Sequence, residues 1–329
     1  MSKNKWIAVV LGILVVAAVV FFATRPKGPI VSQKKIRVGY LPIAAELPLF
    51  VAVEQGYFEK AGIQVELVRL ASSNDLGTAA TSDQIDILAG AASNVVFDIG
   101  LTAGKRHLLF SVNPYSNAPG HITDHLIVRK DSKINTIADL KGKKVAGFPG
   151  SVRVLIFLIL EKYGVPRDSY QYLELPPPNW QPSLQNASID AGVALEPSAT
   201  QILKDGAGTS ILKGFYAELM PEIPLSGHWV AADFYGRADK AQLAAFVDAY
   251  SKAITFCREN EREAKSYLPK YANVRPDILD GVNLNPWKAY SELDVQKLQS
   301  YADLLANNQA IQGRVNVTDF VLPDPRPKK

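Results

Sequence analysis

The chain has 329 residues, enough for two ordinary domains, and is 47% hydrophobic and 21% charged, which sets aside the disordered and fibrous classes. Its 36 basic and 32 acidic residues leave a formal charge of +4, and Lys3, Lys5, Arg25 and Lys27 account for all of it. The rest of the chain is formally neutral, so the basic balance is no footprint of a nucleic-acid-binding face, and no nucleic acid is expected as a partner.

Between those four cations, Ile7 to Ala23 is an unbroken apolar run. As a helix it would span roughly 25 Å against a hydrocarbon core of roughly 30 Å, and Trp6 and the flanking cations suit the interface. A cleaved secretory signal and an uncleaved anchor both fit. Cleavage wants an A-x-A-like pair of small residues, and Phe21-Phe22-Ala23 supplies only the last of them, which favours the anchor. Contact with a membrane is therefore expected through residues 1–27, followed by a short linker, residues 28–35. Cys257 is the only cysteine, so neither an intrachain disulfide nor a multi-cysteine metal site is available. Its setting, AITFCRE, reads as a buried core thiol on a helix.

From Lys35 to Leu70 the chain reads KKIRVGYLPIAAELPLFVAVEQGYFEKAGIQVELVRL. Ile36, Val38 and Tyr40 alternate as a strand, Pro48 suits the first turn of a helix over Leu49–Gln55, and Ile63, Val65 and Leu67 alternate again. Ser72-Ser73-Asn74-Asp75 supplies capping residues for a helix over Leu76–Thr81. Ile85, Ile87 and Leu88 read as a buried strand, Gly90-Ala91-Ala92 as a tight turn, and Ser93-Asn94 as caps of a helix to Ala103. Strands are expected at Leu108–Val112, Leu126–Val128, Val145–Phe148, Ser169–Leu175, Ile189–Val193 and His228–Phe234. Helices are expected at Val152–Tyr163, beyond Glu196-Pro197, from Lys240 onward and at Leu293–Leu305. Strands alternating with helices specify an α/β fold, and ligands of such folds lie beyond the carboxyl ends of strands.

Three stretches resemble the nitrate/sulfonate/taurine-type solute-binding proteins of ABC importers, a family that also includes thiamine-pyrimidine-precursor proteins. They are GYLP with PLFVAVEQGYFEKAGIQVELV, then DLKGKKVAGFPGS, then SIDAGVALEPS. Asp83 and Asn186-Ala187-Ser188 stand where the family pattern has glycine. The resemblance implies a two-lobed periplasmic-binding-protein fold (type II), each lobe a sheet flanked by helices. Lobe 1 is expected over 36–127 plus 230–322, lobe 2 over 128–229, and 323–329 as a frayed tail. It also implies a monomeric extracytoplasmic binder that delivers a small-molecule ligand, an anion of sulfonate, nitrate or carboxylate type, to importer permease subunits.

Helix starts near Pro48, Ser93-Asn94 and Gly150-Ser151 are anion-capable ends, because their N–H groups are free and the helix dipole is positive there. Gly150 allows backbone to approach a ligand, Ser151 offers a hydroxyl, Arg153 a guanidinium fork and Asn94 an amide. The plainer alternatives are that Ser151 and Asn94 only cap their helices and that Arg153 is solvated. Glu46 enters the cleft or stays a loop acid. Glu196 braces the hinge or accepts a cationic or amino-bearing ligand. Trp180, after Pro176-Pro177-Pro178, is the aromatic cleft candidate, whereas Tyr40 and Phe148 are expected in the core. No HExxH, G-x-S-x-G, P-loop or G-x-G-x-x-G occurs, so neither enzyme nor cofactor is expected. A pyrimidine-type ligand and an anchored sensor without transport remain the rivals. The fungal-type pyrimidine synthase branch of the same family depends on a cysteine-rich motif that this chain lacks.

Overall fold

The computed structural model describes residues 35–325, so the apolar run Ile7–Ala23 and the last four residues lie outside the described part. Among the described residues no helix is long and apolar enough to cross a membrane. Ten strands form two sheets of five. The first takes β1 (Ile36–Tyr40), β2 (Val65–Arg69), β3 (Ile87–Ala92), β4 (Leu108–Tyr115) and β10 (Ile223–Val230) in the order β2-β1-β3-β10-β4. The second takes β5 (Asp124–Arg129), β6 (Lys144–Gly147), β7 (Gln171–Glu174), β8 (Ala191–Leu195) and β9 (Gly208–Lys213) in the order β7-β6-β8-β5-β9. In each sheet four strands run in one direction, and the fourth in order, β10 or β5, runs antiparallel to both neighbours. The arrangement is the two-lobed periplasmic-binding-protein fold.

The chain passes from the first sheet to the second between Tyr115 and Asp124 and returns between Lys213 and Ile223. The passages expected from the sequence lay later, at 127/128 and 229/230. Between parallel strands run the helices α1 (Leu47–Glu54), α2 (Tyr57–Lys60), α3 (Ser73–Thr81), α4 (Ser93–Ala103), α5 (Arg153–Lys162), α6 (Trp180–Gln185) and α7 (Ser198–Lys204). Beyond β10 come α8 (Ala232–Arg237), α9 (Lys240–Glu259), α10 (Glu261–Lys265), α11 (Leu268–Ala272) and α12 (Val295–Asn307).

Local chemistry sets several of these ends. Ser72 caps α3 by accepting from Asp75 N–H at 3.1 Å, and Asp239 and Asp294 cap α9 and α12 in the same way. One face of the first sheet packs on α1, α2 and α9 through Val38, Phe50, Phe58, Phe246, Tyr250 and Cys257. Cys257 is indeed a buried free thiol, and burial holds it protonated. The edge strand β4 is buried along its whole length, because Lys288 and Val321 bridge to it and cover its open side.

Two sequence expectations need correction. Gly90-Ala91-Ala92 is no turn but the end of β3, since β10 pairs with Ala91 and Ala92 and carries the strand on. The return strand ends at Val230, and Ala232 starts α8 where a strand to Phe234 was expected. The cause is tertiary: Ala232 N–H donates to Nδ1 of buried His107 at 3.1 Å, which satisfies the helix start.

At the amino edge of β1 and β3, Asp86 receives Arg37 N–H at 2.9 Å, two guanidinium bonds from Arg37 at 3.0 and 2.8 Å, and Arg237 at 2.9 Å. The Asp86 side chain is 3% exposed, and truncating it would leave Arg37 and Arg237 only the half-exposed Asp83 as an ionic partner and the Arg37 N–H without its acceptor. Asp86→Ala should lower the unfolding free energy by roughly 3 kcal/mol in urea titration. Arg314→Ala, at a surface pair 70% exposed, should change it by less than about 0.5 kcal/mol. Equal effects would contradict this account.

Candidate functional site

The carboxyl ends of β1, β3, β6 and β8 meet across the space between the sheets, and a narrow cavity of about 30 Å³ lies there. Lobe 1 contributes Leu41 and Ile43 after β1, Gly90 and Ala92 of β3, Tyr115 of β4, and Leu225 and Ser226 of β10. Lobe 2 contributes Phe148, Pro149 and Val152 after β6, Leu195 of β8, and Tyr216. No lysine, arginine, histidine or acid lines it. The wall is apolar and aromatic, interrupted by a few hydroxyls.

Three helix starts reach this wall. Ser73 is the first residue of α3, Ala92 immediately precedes α4, and Val152 immediately precedes α5. Neither α4 nor α5 has a side-chain cap, but the first-turn N–H groups of α5 donate to the carbonyls of Gly150, Ser151 and Val152, so α5 presents its dipole rather than free amides. Ser73 Oγ accepts from Ala92 N–H at 3.1 Å and ties the starts of α3 and α4 together. The hydroxyl of Ser226, buried in the wall, has no hydrogen-bond partner. The start of α1, expected here from Pro48, is replaced in this role by α3.

The lobes touch beside the cavity. Ser151 N–H donates to Asn74 Oδ1 at 3.2 Å, and Asn94 Nδ2 approaches Ser151 Oγ at 3.5 Å. Asn94 is buried and its Oδ1 is unpartnered. Gly150 has φ +89°, in the left-handed region, and a Cβ there would fall on Asn74 Oδ1. A second interlobe bond joins Ala44 N–H to the Glu196 carbonyl at 3.0 Å.

The candidates from the sequence therefore separate. Asn94, Gly150 and Ser151 sit together at the rim. Arg153 does not line the cavity; half-exposed, it pairs with Glu174 at 2.5 Å. Trp180 is buried behind Phe148, at 5.1 Å between ring centroids, and donates to the Leu175 carbonyl, so Phe148 is the ring that meets the cavity. Glu46 is wholly buried in lobe 1, bonded to His228 Nε2 at 2.7 Å and to Asn113 at 3.2 Å. A Cβ at Gly90, whose φ is +86°, would collide with the Glu46 carboxylate, so that glycine makes room for the acid. Glu196 is buried and accepts from Thr200 and Asn283, and burial pushes it up to about 7.

Sequence reading missed Ser73, Tyr115, Tyr216, Leu225 and Ser226 as wall residues. Ser72-Ser73 was legible as a helix start, and its use at the cleft could have been inferred from the strand before it. The other four carry no motif, since tertiary packing alone brings them together.

The rim geometry carries a test. Gly150→Ala should cost roughly 2 kcal/mol of stability, about 1 kcal/mol from the left-handed backbone and the rest from the Asn74 contact. In an Asn74→Ala background the cost should fall to about 1 kcal/mol. An unchanged cost would contradict this rim contact.

Comparison with known proteins places this geometry. The family model described as "NMT1/THI5 like" matches residues 44–264. A Bacillus subtilis (strain 168) protein named for binding aliphatic sulfonates is 24% identical, with 94% of each chain covered. The 4-amino-5-hydroxymethyl-2-methylpyrimidine phosphate synthase of Schizosaccharomyces pombe is 26% identical over 151 residues, 46% of this chain and 41% of that one. The solved alkanesulfonate-binding protein from Xanthomonas axonopodis pv. citri, bound to MOPS, superposes with a TM-score of 0.71 at 20% identity, covering 88% of this chain and 98% of its own. With its family model matched over most of the two lobes, the chain belongs to the NMT1/THI5-like family.

Proposed function

We propose that this chain is an extracytoplasmic solute-binding protein that captures a small organic anion between its lobes and hands it to the membrane subunits of an ABC importer. The observation that carries this reading is the meeting of three helix starts on one apolar interlobe cavity that contains no side-chain cation. The positive dipole ends of these helices, with the uncapped start of α4, suit an oxyanion head. Leu41, Ile43, Phe148, Val152 and Leu225 suit an apolar body. Such a cavity favours an alkanesulfonate-like ligand over nitrate, which has no body to bury. The names of the sulfonate-binding relatives support the same choice.

Hinge closure is read from the rim, where Asn74 and Asn94 of lobe 1 meet Gly150 and Ser151 of lobe 2. The lobes are assigned by their sheets, with the crossings between Tyr115 and Asp124 and between Lys213 and Ile223. Binding rather than catalysis is supported by a wall whose only titratable side chains are Tyr115 and Tyr216. The apolar run Ile7–Ala23, flanked by cations, supports tethering to the membrane, where a monomer would serve its importer locally. The aromatic wall of Tyr115, Phe148 and Tyr216 favours one second reading, a flat pyrimidine-type ligand.

Thermal melting of the full chain with ethanesulfonate, butanesulfonate, nitrate and an aminopyrimidine separates these readings. A ligand of the folded state at a hundred times its Kd stabilises by about 2.7 kcal/mol. The sulfonates should raise Tm, butanesulfonate most, with little effect of nitrate. A shift with the pyrimidine alone would overturn the anion reading. Phe148→Ala should weaken butanesulfonate roughly tenfold or more by calorimetry, because it removes apolar wall. Arg153→Ala should change its Kd by less than about twofold, the guanidinium being exposed and already paired.

A further inference from the structure

Two buried carboxylic acids lie behind the cavity wall without a cationic partner. Asp124 opens β5 and is wholly buried. Its Oδ2 accepts from Tyr216 N–H at 3.0 Å, and its Oδ1 has no hydrogen-bond partner. Glu196 follows Leu195, the residue of β8 that pairs with Asp124, so the two acids occupy adjacent strand ends. Thr200 Oγ1 at 2.7 Å, Thr200 N–H at 3.2 Å and Asn283 N–H at 3.4 Å hold the Glu196 carboxyl.

The groups facing Asp124 are Tyr115 from β4, Phe215 and Tyr216 from the turn after β9, and Glu196 from the end of β8. None of them is a cation. His125, next along β5, points to the other face of the sheet, where Nδ1 meets Ser210 Oγ at 3.0 Å. Burial, with Lys213 beyond it, pushes His125 down to about 4, so it stays neutral. Tyr115 and Tyr216 form the wall between Asp124 and the cavity.

An anion in this cavity and an ionised Asp124 would be like charges separated by a tyrosine wall in a low-dielectric interior. At roughly half a charge each, three helix starts supply about 1.5 positive charges, short of the two that the ligand and an ionised Asp124 would need. We propose that an anion enters this cleft together with a proton, which the Asp124–Glu196 pair takes up, so that the pair admits one negative charge and no more. The proposal rests on the anion-binding reading above. Asp124 acts as a positioning residue for charge, through the wall rather than by touching the ligand. Burial pushes Asp124, like Glu196, up to about 7, with the Tyr216 and Phe215 N–H groups opposing the rise. Proton uptake can therefore occur near neutral pH without a large change in the free protein.

The sign is fixed by linkage. When the bound state holds a proton that the free state has lost, affinity falls as pH rises above the free-state value. Butanesulfonate keeps its charge throughout the range, so its Kd for the full chain should be flat below about pH 6 and rise roughly tenfold per unit above about pH 7.5. Calorimetry near pH 8 in two buffers of different ionisation heat should show uptake of about one proton. Asp124→Asn, checked for folding by its melt, should bind with a nearly flat pH profile and more tightly than the unaltered chain at about pH 8.5. A Kd that is constant or improves with pH would overturn the proposal. So would a folded Asn variant that keeps the original slope. If that variant does not fold, uptake near zero in the unaltered chain overturns the proposal by itself. Absence of butanesulfonate binding at every pH would overturn the anion reading and this one with it, whereas pH-independent binding overturns only the proton coupling.

Discussion

Charge balance without side-chain cations is the constraint on which this structure depends. Among the described residues, Arg153 is paired with Glu174 near the surface and Arg37 with Asp86 at the amino edge of the first sheet. Inside the cleft, the positive ends of α3, α4 and α5 are the available compensation for a negative ligand. This arrangement has a physical advantage for a protein that must release what it binds. Backbone dipoles fixed in helices of opposite lobes converge only when the lobes approach, so the field weakens as the hinge opens. A guanidinium on one lobe would hold the anion in either state.

The sheet topology makes that convergence possible. In each lobe strands running in one direction deliver their carboxyl ends to the cleft, and one antiparallel strand follows the other lobe's chain segment across. Strand β5 therefore begins at the hinge, and β10 completes the first sheet beside β3 and β4. The buried acid Asp124 opens β5, the strand that receives the first crossing, and Glu196 follows its neighbour β8. Buried carboxyls without cations cost stability at neutral pH. Their position beside the cleft, rather than in a lobe core, links that cost to the ligand's charge.

Much of the fold was legible because the physics was local. The alternation of Ile36, Val38 and Tyr40, the Ser72 and Ser93 helix starts, and the Lys240 helix with its i, i+3, i+4 apolar spacing all reappear in the structure within a few residues. What was not legible depended on distant partners. The turn expected at Gly90 is strand because β10 pairs there, and helix α8 begins because His107 accepts its first amide. Site residues divide in the same way. Gly150, Ser151 and Asn94 carried a helix-start signal and lie at the rim. Trp180 was singled out for its proline-rich loop, yet it backs Phe148, because a large ring in a short α/β connection packs into the lobe. Tyr115, Tyr216 and Ser226 had no local signature, being brought together only by the crossing strands.

A crystal structure with 2-bromoethanesulfonate tests the central claim most directly, because the bromine's anomalous signal marks the apolar end of the ligand. The account predicts one peak between Phe148 and Leu225, with the sulfonate toward the starts of α3, α4 and α5 and no arginine in contact. A ligand bound instead in the neighbouring polar groove of Arg69, Gln181 and Asn273, with the apolar cavity left empty, would contradict it.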